Sequence, residues 1–394
     1  MDASSLQQAV AKHLDEIITL RRDLHRHPEL SGQEQRTAAV VAQRLRACGF
    51  QVEERIGGYG LIAQIGEGSP CIGLRCDMDA LPVTEETGLE YASDSPGVMH
   101  ACGHDFHTAW TIGAALVLQE LGLPRGTVKF IFQPAEETLG GAAGMIAAGA
   151  LAGEPRLDAI VGAHVMADRL AGTVALRSGP NLAAADAFTV RIAGAGAHGA
   201  SPNRGRDPIP VAAEIVMALQ TLVSRRLDPL EAAVVSVCQF NAGSAYNIIP
   251  MEATLAGTVR TLFTDHRDMI EQAMRELCTD IAHAHRCEAE FTYRRGVPAT
   301  VTDEAVTALS VAAIQEALGS DIVQRQERPS MGGEDFSYLL QQVPGALLWV
   351  GCAPDEQAAA TMSLHHPQFA ADERCLPLAM TALAAIALKY LEDA

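Results

Sequence analysis

Short apolar runs alternate with helical stretches between residues 52 and 163. This alternation narrows the choice of fold more than any other feature of the 394-residue chain. The runs at 52–65, 71–75, 127–132 and 159–163 are bounded by Gly and Pro and read as strands. Helical periodicity falls at 6–24, 34–48, 108–121 and 141–151, with Gly49 stopping the second. Strands that alternate with helices pair in parallel, because a parallel neighbour needs a long crossover and the crossover helix covers a face of the sheet. Ligands of such sheets bind beyond the carboxyl ends of the strands. Those ends are followed here by Asp77-Met78-Asp79, by Gln133-Pro134-Ala135-Glu136-Glu137 and by His164.

The pattern changes near Gly179. Strands at 187–192, 233–240, 252–258 and 287–293, with helices at 210–223 and 266–285, make a separate α+β block. From about residue 302 the α/β pattern resumes: a helix to Leu318, a helix from Asp335, a strand at 346–350 and a last helix from Leu376. The expected fold class is therefore α/β. A discontinuous domain with a mostly parallel, helix-covered sheet spans 1–182 and 296–394, and an inserted α+β domain spans 183–295. A chain of this length suits two or three domains.

Composition excludes several function classes. Hydrophobic residues make up 48% and aromatics 5%, so the core must be built mainly from Ala, Val, Leu and Ile. The 29 basic residues against 48 acidic give a formal charge of −19. Such a surface repels nucleic acid phosphates and anionic membranes, so neither is an expected partner. An anionic small substrate would need a local Arg. The first twenty residues lack the basic and apolar regions of a secretory signal, and the apolar stretches are short or interrupted for a bilayer span. Nine irregularly spaced cysteines do not read as a disulfide framework. Reduced thiols in a cytoplasmic protein are the expectation.

The strongest local chemical signal is His100-Ala101-Cys102-Gly103-His104-Asp105-Phe106-His107. Cys and His two apart can reach one metal pair from a turn, and Gly103 lets the backbone bend between them. A helix start with incidental histidines is the alternative. Glu136-Glu137 follows a strand and a Pro. Adjacent carboxylates repel unless a cation or proton separates them, so one can bind metal while the other takes a proton from metal-bound water. Alone, this pair reads more readily as a solvated acidic helix start. His164 and His365-His366-Pro367 gain weight only in combination.

As a set, these motifs resemble the M20 metallopeptidase family, and within it the amidohydrolase branch that includes hippurate hydrolases and plant auxin-conjugate hydrolases. The resemblance covers about 21–371, with motifs in family order. They are Leu74-Arg75-Cys76-Asp77-Met78-Asp79-Ala80-Leu81-Pro82, residues 99–108, residues 132–137, His164-Val165, Ala197-His198-Gly199-Ala200, Asn247-Ile248-Ile249-Pro250, Gly332-Gly333-Glu334-Asp335-Phe336 and Leu364-His365-His366-Pro367.

The resemblance implies two divalent metal ions held by Cys102, His104, Glu137, His164 and His365, with Cys102 bridging and Glu136 as general base. A thiolate ligand favours Mn, Co, Ni or Zn over Mg or Ca. Asp79 is implied to orient a ligand. Asp77 stands where the wider family has a metal-binding His, and His107 is read as structural. His198 is implied to face the oxyanion, and Asn247 and Arg260 the substrate carboxylate, with Gly332 and Gly333 also lining the substrate. The resemblance also implies that the discontinuous 1–182 and 296–394 domain is catalytic and that 183–295 is a lid or dimerisation domain, with a small-molecule N-acyl-amino acid or dipeptide and a second copy of the chain in a homodimer as the partners. The implied reaction is hydrolysis of an N-acyl-amino acid. Dipeptidase, carboxypeptidase or aromatic-amine-releasing activity on the same site are rivals, and a non-catalytic binding protein is a remote one. Cys76, Phe106 and Met166-Ala167-Asp168 depart from the usual pattern near the expected pocket.

Overall fold

A computed structural model describes residues 3–394. It divides into two compact units. The first comprises Met1–Gly179, Val301–Arg328 and Asp335–Ala394, and the second Pro180–Thr300 and Pro329–Glu334.

The first unit is built on an eight-stranded sheet. Its strands run in the order Gln51–Ile56, Gly60–Gly66, Thr127–Gln133, Cys71–Asp77, Ala159–Leu170, Gly345–Ala353, Val174–Leu176 and Val323–Arg325. The four central strands pair in parallel, and antiparallel pairings occur towards both edges. Strands buried on both faces read as unbroken apolar runs. Accordingly, every residue of Cys71–Asp77, Thr127–Gln133 and Gly345–Ala353 is buried. The run expected at 52–65 is a hairpin, turned by Gly57 and Gly58 at φ +66° and +107°.

Helix His104–Leu121 is buried on all sides from His104 to Leu118. It packs against Ala3–Arg26 and Cys375–Asp393. A helix apolar all round belongs in a core. The same reasoning covers Cys375–Asp393, which has the length and apolar character of a bilayer span but buries most of its length in this core. The stretch is therefore longer and less interrupted than composition suggested.

Two of the boundaries that differ from the sequence reading move chemistry. The helix begins at His104 rather than 108, because Gly103 at φ +81° breaks the chain just before it. The strand expected to stop at Ala163 continues to Leu170, since Gly345–Ala353 supplies a parallel partner that pairs Trp349 with His164. His164 thus lies within a strand.

The second unit has a four-stranded antiparallel sheet in the order Ala233–Ala242, Glu252–Thr261, Ala184–Ala193 and Glu288–Arg294. Helices Pro208–Arg226 and Thr264–Ala284 share its core through Ile215, Leu219, Ile270 and Met274, packed with Val190, Ile192 and Leu255. The alternating burial of Ala184–Ala193 is the mark of a sheet with one covered face.

Candidate metal centre

Gly103 opens the site. A Cβ there would lie 2.6 Å from Val165 Cγ2, so only Gly allows this turn to press against the strand that carries His164. Cys102 and His104 flank it, one in the turn and one at the first position of the helix. Cys102 Sγ lies 3.6 Å from His164 Nε2 and 3.3 Å from His365 Nε2. His365 Nε2 is also 3.4 Å from Glu137 Oε1.

These atoms fall into two donor groups, Cys102–His104–His164 and Cys102–Glu137–His365, with Cys102 common to both. Glu136 joins Glu137 and His104 in a further group. The five residues expected as metal ligands, and the expected base, are thus drawn together within the first unit. The donor set fits a pair of cations on its own chemistry. His104 Nε2 and Glu137 Oε1 are buried without a hydrogen-bond partner and lie 3.8 Å apart. Burial pushes the Cys102 thiol well up, so a thiolate here needs a cation beside it. Buried polar atoms rarely lack partners, and bound metal would satisfy all three.

The histidines are held in metal-ready tautomers. His164 Nδ1 donates to the Val165 carbonyl at 2.7 Å, leaving Nε2 towards Cys102. His104 Nδ1 lies 3.3 Å from Asp79 Oδ1, leaving Nε2 inward. Burial opposes the His104 charge, but Asp77, Asp79 and Cys102 outweigh it and raise the pKa. His365 is half-exposed and is also raised, chiefly by the Glu137 carboxylate 3.4 Å from its Nε2. It adopts φ +60° and donates its amide to the Ala101 carbonyl at 2.8 Å.

Asp79 is the hub of the arrangement. Its Oδ1 accepts the Glu136 amide at 3.1 Å as well as His104, and its Oδ2 accepts the Glu137 amide at 3.0 Å and the Ser31 hydroxyl at 2.6 Å. One buried carboxylate therefore positions the base, a ligand backbone and a ligand ring.

Asp77 is engaged elsewhere. It accepts from Arg75 at 2.9 Å and from His107 Nδ1 at 2.6 Å. His107 Nε2 in turn accepts the Val165 amide at 3.0 Å. Burial pushes His107 down to about 3, so the ring is neutral and both of its nitrogens are used. Arg75 also binds Gln133 and Asp335, at 2.9 and 3.1 Å.

The sequence reading gave no role to Arg75, Gln133, Asp335, Ser31 or Glu34. Arg75, Gln133 and Asp335 stand inside motifs of the sequence, but the bonds among them span 58 to 260 residues, and Ser31 and Glu34 stand in none of those motifs.

The remaining expected site residues lie in the second unit. His198 and Ile248 pair in a two-stranded ladder, and the Asn247 carbonyl accepts the Gly199 amide at 2.8 Å, so His198 and Asn247 are neighbours. His198 Nδ1 accepts the Ala200 amide at 3.0 Å, which leaves Nε2–H of the neutral ring as a donor. A Cβ on Gly333 would lie 3.4 Å from the Arg260 guanidinium, and the adjacent Gly332 accepts the Ala183 amide at 3.0 Å.

Comparison with known proteins accords with this geometry. Residues 73–389 match Peptidase family M20/M25/M40. The chain is 41% identical to an N-acetyl-L-cysteine deacetylase of Bacillus subtilis, over 92% of this chain and 85% of that one. It is 37% identical to the IAA-amino acid hydrolase ILR1-like 2 of Arabidopsis thaliana, over 96% and 86%. A crystal structure of a dinuclear metal binding peptidase of the M20 family, from Bacillus subtilis, superposes with a TM-score of 0.85 at 35% identity, covering 98% of this chain and all of that one. The chain therefore belongs to Peptidase family M20/M25/M40, as a metal-dependent amidohydrolase.

Proposed function

We propose that this protein hydrolyses the amide bond of N-acyl-amino acids, giving a carboxylic acid and a free amino acid. The observation that carries the reading is Cys102, shared by two donor groups with the Glu136 carboxylate beside them. The relatives named for N-acetyl-L-cysteine and for IAA-amino acids support the substrate class.

Cys102, His104 and His164 would hold one divalent cation, and Cys102, Glu137 and His365 the other. The thiolate favours Mn, Zn, Co or Ni. Such a pair, when bound, acidifies a water and polarises the scissile carbonyl. Glu136 takes the proton of the attacking water and delivers it to the leaving amine as the C–N bond breaks. Its backbone is fixed by Asp79, so little reorganisation is needed at the moment of transfer. We assign His198 to the oxyanion through its Nε2–H, and Asn247 and Arg260 to the substrate carboxylate, beside Gly332 and Gly333. An Arg fork suits a carboxylate.

A homodimer formed through the second unit belongs to the same proposal. It is supported by the exposed apolar side chains of Met217, Leu230, Tyr246, Ile248 and Met251 there. Light scattering on the purified protein measures the mass directly.

The test of function is hydrolysis of a panel of N-acyl amino acids and dipeptides after chelation and reloading with Mn, Co, Ni or Zn. Glu136→Ala is expected to lower turnover by at least about 10³-fold with two metals still bound. Retained activity, or loss of metal, would sink the assignment of Glu136 as base. Turnover of dipeptides alone would sink the substrate class.

A further inference from the structure

The segment between helices Ala3–Arg26 and Gln35–Ala47 lies outside the span that matches the family, which begins at residue 73. It nevertheless supports the loop that carries Glu136 and Glu137. Pro134 has no N–H, so the loop's first three amides are those of Ala135, Glu136 and Glu137. All three donate to buried carboxylates. Ala135 donates to Glu34 Oε1 at 2.8 Å, while Glu136 and Glu137 donate to the two oxygens of Asp79. Ala135 adopts φ +55°, a left-handed conformation that an L residue with a Cβ keeps only where its surroundings hold it.

Glu34 is itself unusual. It is 0% exposed. Its Oε1 accepts two amides, from Gly32 and Ala135, each at 2.8 Å. Its Oε2 is buried with no hydrogen-bond partner. A buried carboxyl with an idle oxygen is a poor stabilising device, since an unsatisfied buried polar atom costs free energy. What it provides is a rigid acceptor at the residue preceding the base. Burial raises its pKa, and nearby Asp79 adds to the rise.

We propose that Glu34 is a positioning residue for the reaction, anchoring the left-handed Ala135 so that Glu136 and Glu137 point into the donor cluster. This rests on the reading of Glu136 as base. The acceptor is Oε1, so Glu34→Gln keeps it. Glu34→Asp withdraws it by roughly 1.5 Å while retaining a carboxyl. Both substitutions change volume little, and folding is checked by circular dichroism.

With two metals bound, E34Q is expected to retain kcat within about threefold, and E34D to lose about 10–100-fold in kcat with KM changed less than about threefold. Ala135→Gly, which takes positive φ without strain, is expected to restore most of the loss when combined with E34D. A purely structural role predicts lower melting temperatures for both variants with kcat intact, and a charge role predicts that E34Q is worse than E34D. Either result overturns the proposal. Chelator competition gives a readout independent of substrate, with E34D expected to bind metal at least about threefold more weakly than E34Q. If the wild-type protein cleaves nothing in the panel, the functional reading fails, and the metal-affinity comparison still decides whether Glu34 sets the loop.

Discussion

Replacing Asp79 by Asn removes one negative charge and one acceptor from a carboxylate that is 1% exposed. The carboxylate accepts from four donors: the Glu136 amide, the Glu137 amide, the Ser31 hydroxyl and His104 Nδ1. An Asn can turn its amide two ways. With NH2 in place of Oδ1, the Glu136 amide and His104 both face a donor. With NH2 in place of Oδ2, only the Glu137 amide is stranded, because the Ser31 hydroxyl can rotate to accept. The second choice is cheaper. It leaves one buried amide unpaired, at about 1–3 kcal/mol, and weakens the bonds that remain by roughly 1 kcal/mol each as they lose a charged acceptor. The expected penalty for the metal-free protein is about 3–5 kcal/mol, read by urea unfolding. His104 keeps an acceptor for Nδ1–H but loses the charged one that makes its Nε2 a stronger ligand, and the Glu137 amide loses its anchor, so metal affinity should fall about 10–100-fold in a chelator competition. Metal-free stability within about 0.5 kcal/mol of wild type, together with unchanged metal affinity, would refute the view of Asp79 as the hub of this site.

Other perturbations probe separate parts of the argument. Gly103→Ala places a Cβ 2.6 Å from Val165 Cγ2 at φ +81°. It should cost about 2–4 kcal/mol of thermal stability and lower bound metal, measured by elemental analysis. Away from the donor cluster, buried His25 sits 2.8 Å from Asp105 and 3.2 Å from Glu85, with Arg21 alongside. Burial opposes its charge, but Asp105 and Glu85 outweigh burial and raise its pKa. Its stabilising contribution is therefore complete below the unfolded value of about 6.5 and is lost as pH rises through the folded one. His25→Gln should cost roughly 2 kcal/mol at pH 6 and clearly less at pH 9. An equal cost at both pH values would contradict the charged reading of His25.

The alternation of strands and helices is enough to announce a parallel α/β sheet, because strands buried on both faces carry largely apolar runs, as residues 71–74 and 130–132 do. Cys102, Gly103 and His104 were visible as chemistry because they are contiguous and their spacing has a local meaning. His164 and His365 were not, since a lone histidine carries no local signal, and only motif order attached them to the set. The start of the helix at His104 depended on the left-handed Gly103, and the length of the strand around His164 depended on its partner Gly345–Ala353. Neither feature can be read within a window of a few residues.

What the amino-acid order determined by itself was periodicity, and hence which faces are buried and where polar residues end the strands. What only the tertiary structure decided was which buried polar atoms satisfy one another. Ser31 reaches Asp79 across 48 residues, Glu34 reaches Ala135 across 101, and Arg75 reaches Asp335 across 260. Hydrogen bonds act over about 3 Å of space regardless of separation along the chain. Ser31 and Glu34 act only through such bonds and no motif marks them, while Arg75 and Asp335 each stand in a motif whose pairing with the other neither one announces.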